Sequence, residues 1–165
     1  MTFEEFVAAR GPALLRFAYV LTADAHLAED GVQAARVKAL RHWRRVERSS
    51  SPEAYVRRIV VTTFADHWRR ASSSEVVSDL PDGRTSPDPA DRIGSADEMW
   101  RALSALAPRQ RAVLVLRYYL DLGDDEIARQ LGISTVTVRS QASRGLATLR
   151  TRWTPAADVA NGGSS

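Results

Sequence analysis

Residues 124–150, DDEIARQLGISTVTVRSQASRGLATLR, decide the fold of this chain. They predict a short helix, a sharp turn at Gly132, and a second helix that begins after Ser134. Ala128 lets the two helices approach, Gly132 permits the turn, and Val138 fills the angle between them. This pattern is typical of a helix-turn-helix, a unit that places its second helix in the major groove of DNA.

The second helix of the motif carries arginines and no acidic residue. The N-terminal half of such a helix normally enters the groove, where arginine can read guanine bidentately and Ser or Thr contacts phosphate or a thymine methyl. The residues placed to reach DNA are Thr135, Thr137, Arg139, Ser140, Ser143 and Arg144. The apolar side chains assigned to the core are Val136, Val138, Leu146 and Leu149.

Upstream of the motif, residues 1–70 have the apolar periodicity of a bundle of three or four amphipathic helices. In the segment 24–45, the expected buried side chains are Leu27, Val32, Ala35, Ala39, Leu40 and Trp43. Gly31 is expected to destabilise its helix by about 1 kcal/mol relative to alanine. Ser51 and Pro52 predict the N-cap and the first position of a later helix.

The composition changes after this bundle. Residues 71–94 are rich in Ser, Pro, Gly and Asp, have no sustained apolar period, and carry more acidic than basic side chains. Helical periodicity resumes over 95–152, and residues 153–165 are expected to form a disordered tail. The sequence therefore predicts an all-α fold: two small helical bundles joined by a flexible acidic linker.

The amino-acid composition and the absence of certain motifs argue against several classes of function. The chain has 165 residues and no cysteine, so disulfides and thiolate metal sites are excluded, and its three histidines are too widely spaced to indicate a metal. No Ser/His/Asp set or glycine-rich phosphate loop is apparent, so neither an enzyme nor a cofactor is expected. With no apolar run near the roughly 20 residues that span a bilayer, and no signal peptide, we expect a cytoplasmic protein without membrane insertion.

Arginines also cluster in the N-terminal bundle, between Arg41 and Arg70, where aromatic residues are interleaved. A basic surface with aromatic side chains suits a nucleic-acid backbone with unstacked bases. The alternative is that the aromatics are core and the arginines an ordinary solvated face. The spacing of Phe64 and Trp68 favours this alternative for those two rings, because it continues a buried stripe.

Taken together, the two halves resemble the extracytoplasmic-function group of bacterial RNA polymerase sigma factors, in particular its short actinobacterial branch. In the N-terminal half the resemblance rests on HLAEDGVQAARVKALRHW (26–43) and SPEAYVRRIVVTTFADHWRR (51–70). In the C-terminal half it rests on LSALAPRQRAVLVLRYYLDLGDDEIARQLGISTVTVRSQASRGLATLR (103–150). Response-regulator output domains share part of the last stretch, but the pairing of both halves across such a linker is specific to sigma factors.

The resemblance implies a division of labour between the bundles. Residues 1–70 would dock on the clamp helices of the largest polymerase subunit and open the −10 element of promoter DNA. Residues 95–152 would read the −35 element and sit on the flap of the second-largest subunit. The linker would run toward the RNA exit path, where its negative charge can imitate nucleic acid. The family also implies a possible anti-sigma factor that clamps the two domains.

The polymerase contact of the family is an Asp-Leu-Val-Gln-Glu run on the second helix, which here reads Asp30-Gly31-Val32-Gln33-Ala34. Asp30, Gln33 and Ala34 are therefore the candidate polymerase-binding residues. Gly31 and Ala34 replace the family's leucine and glutamate, and Arg36 stands where an apolar residue is usual. These departures are expected to fall on the docking face and to weaken or reshape it.

Family members open the −10 element with a loop and the helix after it, which correspond here to residues 47–51 and the following helix. The candidate base-pocket residues are Arg48, Ser49 and Ser50, and the candidate strand or phosphate contacts are Arg57, Arg58, Arg69 and Arg70. Extruding one base costs a few kcal/mol, which such contacts can offset. The −35 contacts of the family match Arg139, Ser140, Ser143 and Arg144.

A second function, from another class, is a standalone helix-turn-helix regulator whose N-terminal bundle senses a ligand or a partner. Binding to core polymerase discriminates between the two, because a sigma factor requires it and a standalone regulator does not.

Overall fold

A capping box starts the first helix of the protein. The computed structural model describes residues 1–73 and 95–152, apart from the side chains of residues 72, 73 and 95–97. The Thr2 hydroxyl accepts a hydrogen bond from the Glu5 amide at 3.2 Å, and the Thr2 amide donates to the Glu5 carboxylate at 2.8 Å. The resulting helix α1 (Phe3–Thr22) runs continuously through Pro12.

The N-terminal unit contains three more helices: α2 (Ala25–Arg41), α3 (Trp43–Glu47) and α4 (Pro52–Ser73). The Asp24 carboxylate caps α2 by accepting from the Leu27 amide at 3.1 Å. The expected start of α4 is confirmed, since the Ser51 hydroxyl accepts from the Ala54 amide at 3.2 Å and Pro52 is the first helical residue. Helix α4 continues three residues beyond the expected end of the bundle at residue 70.

Gly31 lies in the interior of the N-terminal unit. Its Cα faces α4, where the ring of Phe64, buried as expected, packs so closely that an added Cβ would overlap the ring. The expectation that Gly31 falls on an outer docking face is therefore wrong. Glycine is required here by packing, which outweighs its lower intrinsic helix propensity.

Replacing Gly31 by the leucine of the family is expected to destabilise the protein by about 2–3 kcal/mol, because overpacking a close-packed core typically has this effect. Urea unfolding followed by circular dichroism measures the loss. As a control, Phe64→Leu removes the opposing ring, so the double variant should be more stable than the sum of the two single effects. A Gly31→Leu variant as stable as the wild type would contradict the packing argument.

The C-terminal unit is also helical. Its elements are α5 (Ser95–Ser104), α6 (Pro108–Leu114), a π-helical turn (Val115–Tyr119), α7 (Asp124–Leu131) and α8 (Thr135–Arg152). The described parts of the chain contain no strand, which confirms the all-α prediction. The predicted linker and tail lie outside the described residues, except for residues 71–73, which belong to α4. None of the described helices combines the length and the hydropathy that a membrane span requires.

The two units share one apolar core, which the sequence did not predict. Arg111 of α6 is buried at their boundary, where its Nη1 donates to the Thr22 carbonyl at 2.8 Å and its Nε donates to the Leu103 carbonyl at 2.8 Å. Burial lowers the pKa of this guanidinium to about 10, so it stays charged at neutral pH. In addition, Tyr19 of α1 stacks on Trp100 of α5 with ring centroids 4.6 Å apart.

Candidate nucleic-acid interface

The helix-turn-helix has the geometry that its sequence predicted. Helix α7 ends at Gly132, which adopts the left-handed conformation with φ 67°, and the Ile133 amide donates to the Ala128 carbonyl at 3.1 Å. The Ser134 hydroxyl then accepts from the Thr137 amide at 3.1 Å and caps α8. Ala128 and Val138 are both buried in the angle between the helices. These local features hold α8 at a fixed angle with one face outward.

The outward face and flanks of α8 carry five of the six residues that were expected to reach DNA, all except Thr135. Arg139, Ser143 and Arg144 are exposed, whereas Thr135, Thr137 and Ser140 are half-buried. Ser140 and Ser143 lie opposite the buried Val138, and Thr137, Arg139 and Arg144 flank them. Thr135 lies nearer the buried side, at the first position of the helix. No acidic residue lies on α8, whose last turn adds Arg150 and Arg152. The face is therefore a positively charged helical surface of the kind that enters a major groove.

Val136 lies at the centre of this face with 68% of its surface exposed, so its assignment to the core is wrong. At 100° per residue, Val136 shares its side of α8 with Ser140 and Ser143, whereas Val138 points the other way. The sequence itself contains this periodicity, but Val136 was assigned to the core on its apolar character alone. Exposed valine methyls are of the kind that can contact a thymine methyl.

Asp124, the first residue of α7, connects two arginines. Its carboxylate accepts a hydrogen bond from Arg117 and another, at 3.4 Å, from Nε of Arg139 on α8. The hydrogen bond from Arg117, supported by the charges of both arginines, lowers the pKa of Asp124, so its carboxylate is ionised at neutral pH.

The loop between α3 and α4 presents only part of the expected base pocket. Arg48 and Ser50 are exposed, but Ser49 is half-buried and its hydroxyl donates to the Val46 carbonyl at 2.6 Å. Ser49 thus stabilises the conformation of the loop through this hydrogen bond. Arg57, on the second turn of α4, is paired with Glu53 on the first.

Two of the other basic residues expected to contact the −10 strand lie where α4 meets the helix-turn-helix. The Arg69 guanidinium is paired with Asp66 and lies over Gly132, where an added Cβ would be 2.7 Å from its Nη1. Hydrogen bonds from Gln130 and Arg129 lower the pKa of Glu126 on α7, and the positive charge of Arg58 contributes to that shift. Arg58 and Arg69 therefore face the second unit in this arrangement; Arg70 is exposed.

The candidate polymerase-binding residues are all exposed on α2: Asp30, Gln33 and Ala34. Beside them runs a groove of about 680 Å³ between α1 and α2, lined mainly by Phe3, Val7, Gln33, Arg36, Val37 and Leu40. Leu40, which was expected to be buried, is 54% exposed, and Val37 is 51% exposed. Apolar side chains that line a groove and are flanked by polar ones are typical of protein-binding surfaces.

Comparisons with known proteins identify the family of both helical units. The family description "Sigma-70 region 2" matches residues 6–74, and "Sigma-70, region 4" matches residues 96–149. The RNA polymerase sigma-E factor of Streptomyces coelicolor is 34% identical over 91% of this chain and 85% of its own length. That of Streptomyces avermitilis is 36% identical over 91% and 84%, and SigV of Bacillus subtilis is 30% identical over 85% and 82%.

Solved structures show the same fold. The sigma factor RpoE of Bartonella quintana, in complex with the anti-sigma factor NepR, aligns with a TM-score of 0.64 at 24% identity over 90% of this chain and 94% of that one. The PhyRSL–NepR complex of Sphingomonas aligns with a TM-score of 0.56 at 19% identity. The matches of both helical units to sigma-70 regions define a sigma-70-type transcription factor. The chain belongs to the extracytoplasmic-function family of RNA polymerase sigma factors, and it directs promoter-specific transcription initiation.

Proposed function

We propose that the chain is a dissociable polymerase subunit, acting in the cytoplasm, whose two units contact separate promoter elements. The outward face of α8 reads the −35 element, and the α3–α4 loop with α4 opens the −10 element. The protein needs no cofactor and performs no chemistry of its own, because polymerase supplies the catalytic site. The observation that carries the proposal is the acid-free, arginine-bearing face of α8, fixed by the caps at Gly132 and Ser134.

At the −35 element, Arg139 and Arg144 are the candidate base readers, while Thr135, Thr137, Ser140 and Ser143 contact phosphate or flanking bases. Both arginines are exposed, and arginine presents two terminal nitrogens to the guanine edge. Val136 adds an apolar contact. This set supports recognition of a short mixed sequence that contains at least one guanine.

At the −10 element, Arg48 and Ser50 are the exposed candidates for the flipped base, and Ser49 holds the loop in shape. Arg57, Arg58, Arg69 and Arg70 are the candidate strand contacts along α4. Their positive charge suits the phosphate backbone of a separated strand.

Polymerase docking is assigned to the exposed face of α2, with Asp30, Gln33 and Ala34 meeting the clamp helices of the largest subunit. The apolar groove beside this face, with Val37 and Leu40 exposed, supports the assignment. The C-terminal unit sits on the flap of the second-largest subunit. An anti-sigma factor is a further candidate partner, since the Bartonella relative is described in complex with one.

Reconstitution tests the proposal. The tagged protein should co-purify with core polymerase and confer promoter-specific run-off transcription on templates identified by mapping where it binds the genome with polymerase. Sequence-specific binding without any association with polymerase would support the standalone regulator and contradict the sigma-factor mechanism.

Replacing Ala34 by the glutamate of the family is expected to tighten polymerase docking several-fold. The position is exposed beside Asp30 and Gln33, so the carboxylate meets no steric obstacle, and one added charge contact at an interface contributes on the order of 1 kcal/mol. Equilibrium binding to core polymerase measures the change, with Ala34→Gln as a control of similar size without the charge. Unchanged or weaker binding would mean that the glutamate is compensated elsewhere on the face.

A further inference from the structure

A chain of hydrogen bonds runs from Arg117 through Asp124 to Arg139 on α8. Asp124 belongs to α7 and contacts no other part of α8 by hydrogen bond. Arg117 lies in the π-helical turn that follows α6, and it contacts one oxygen of the carboxylate. The other oxygen is thereby directed toward Arg139, so a residue outside the recognition helix contacts its central arginine.

The contact leaves the reading atoms of Arg139 available. Asp124 engages Nε, and within the described part of the chain no hydrogen bond involves Nη1 or Nη2 of Arg139. The side chain is 64% exposed. A guanine presents its O6 and N7 acceptors as a pair, which the terminal nitrogens of an arginine match when the guanidinium is held edge-on.

A carboxylate at this place also affects what the arginine binds. It repels phosphate oxygens, so it disfavours a swing of the Arg139 side chain onto the DNA backbone. It restricts the rotamers of a long side chain that would otherwise be ordered only on binding. Both effects favour base reading over non-specific contact.

We propose that Asp124 is a positioning residue that fixes Arg139 for bidentate reading of a guanine in the −35 element. Arg117 acts behind it by anchoring the carboxylate. The inference rests on the proposed role of α8 as the −35 reader. It adds a specificity determinant on α7, which does not itself enter the groove.

The test compares Asp124→Asn with Asp125→Asn in full-length protein bound to core polymerase. Both substitutions remove one negative charge from the first turn of α7. Asp125 is exposed, and the hydrogen bond and ion pair described for Arg139 are with Asp124. Each holoenzyme selects from a duplex library with a randomised −35 element, and sequencing gives the base preference at every position. Asp124→Asn should reduce the preference for one guanine by about tenfold, within the range that a bidentate contact supplies, whereas Asp125→Asn should retain it.

Further variants separate the inference from the function on which it rests. Arg139→Ala should remove the same guanine preference, and adding Asp124→Asn to it should change nothing further. Asp124→Glu, which keeps the charge but moves the carboxylate by one methylene, should lose preference at that guanine while melting like the wild type. This guards against a folding defect in the asparagine variant.

Three results would overturn the inference. The first is an Asp124→Asn profile equal to that of the wild type while Arg139→Ala loses the guanine. The second is a uniform gain in affinity for all sequences, which would make Asp124 a general repulsive charge. If instead Arg139→Ala keeps the whole profile, the proposed reading role of α8 fails, and the inference fails with it.

Discussion

Replacing Arg139 and Arg144 by alanine is expected to abolish −35 recognition and to leave binding to core polymerase intact. Both side chains are exposed on α8, the proposed −35 reader, and each bidentate base contact contributes about 1–3 kcal/mol of discrimination. Loss of the two together should therefore lower the preference for the −35 element over random sequence by about 100-fold or more. Fluorescence anisotropy with the two duplexes, and run-off transcription by the reconstituted holoenzyme, measure the effect.

Arg150 and Arg152 provide the matched control, because they lie at the far end of the same helix and are also exposed. Their replacement by alanine removes the same charge. It should weaken binding to all sequences alike and reduce the dependence on salt, as loss of phosphate contacts does. If the Arg139/Arg144 variant lost polymerase binding instead, the assignment of functions to the two units would be wrong.

The helix-turn-helix was predictable from sequence because its signals are local. Gly132 is needed for a positive φ and Ser134 for an N-cap, so each residue specifies its own backbone conformation whatever packs around it. The same reasoning identified the start of α4 at Ser51 and Pro52. The burial predicted for Val136 and Leu40 was wrong, because apolar character was taken to mean burial. Exposed apolar side chains are common on protein surfaces, binding surfaces included.

The tertiary contacts were not predictable in this way. In the sequence, Gly31 reads as a departure from a docking motif. In the structure, the ring of Phe64, more than thirty residues later in the chain, occupies the space that a Cβ at Gly31 would need. Arg111 lies in the polar run Pro108-Arg109-Gln110-Arg111, which suggests a solvated arginine. Its carbonyl partners belong to α1 and to the end of α5. No local sequence pattern predicts these contacts.

The shared core of the two units leads to the second large expected effect. The −10 and −35 elements lie about 25 base pairs apart, or about 85 Å along B-form DNA at 3.4 Å per base pair. In the packed arrangement, α4 lies directly against α7, and Arg69 covers the turn of the helix-turn-helix. Under the proposed division of labour, the two reading surfaces lie far too close together in this arrangement to engage both elements. We therefore expect the units to separate before the promoter is bound.

Holding the units together is therefore expected to abolish promoter-dependent transcription. Tyr19 and Trp100 stack across the boundary, and the chain has no native cysteine, so Tyr19→Cys with Trp100→Cys creates one defined pair for a short bismaleimide cross-link. Run-off transcription by the cross-linked protein should fall by at least about tenfold relative to the same variant without cross-linker, because almost no binding-competent state remains.

A long, flexible polyethylene-glycol bismaleimide on the same two cysteines is the control. It modifies the same atoms but lets the units separate, so transcription should return to the level of the uncross-linked variant. That variant has lost a ring stack of about 0.5–1.5 kcal/mol at the boundary, so it should open more readily than the wild type and transcribe at least as well. Equal transcription with the short and the absent cross-link would mean that the packed arrangement is itself competent, and that the contacts of α4 with α7 persist on the promoter.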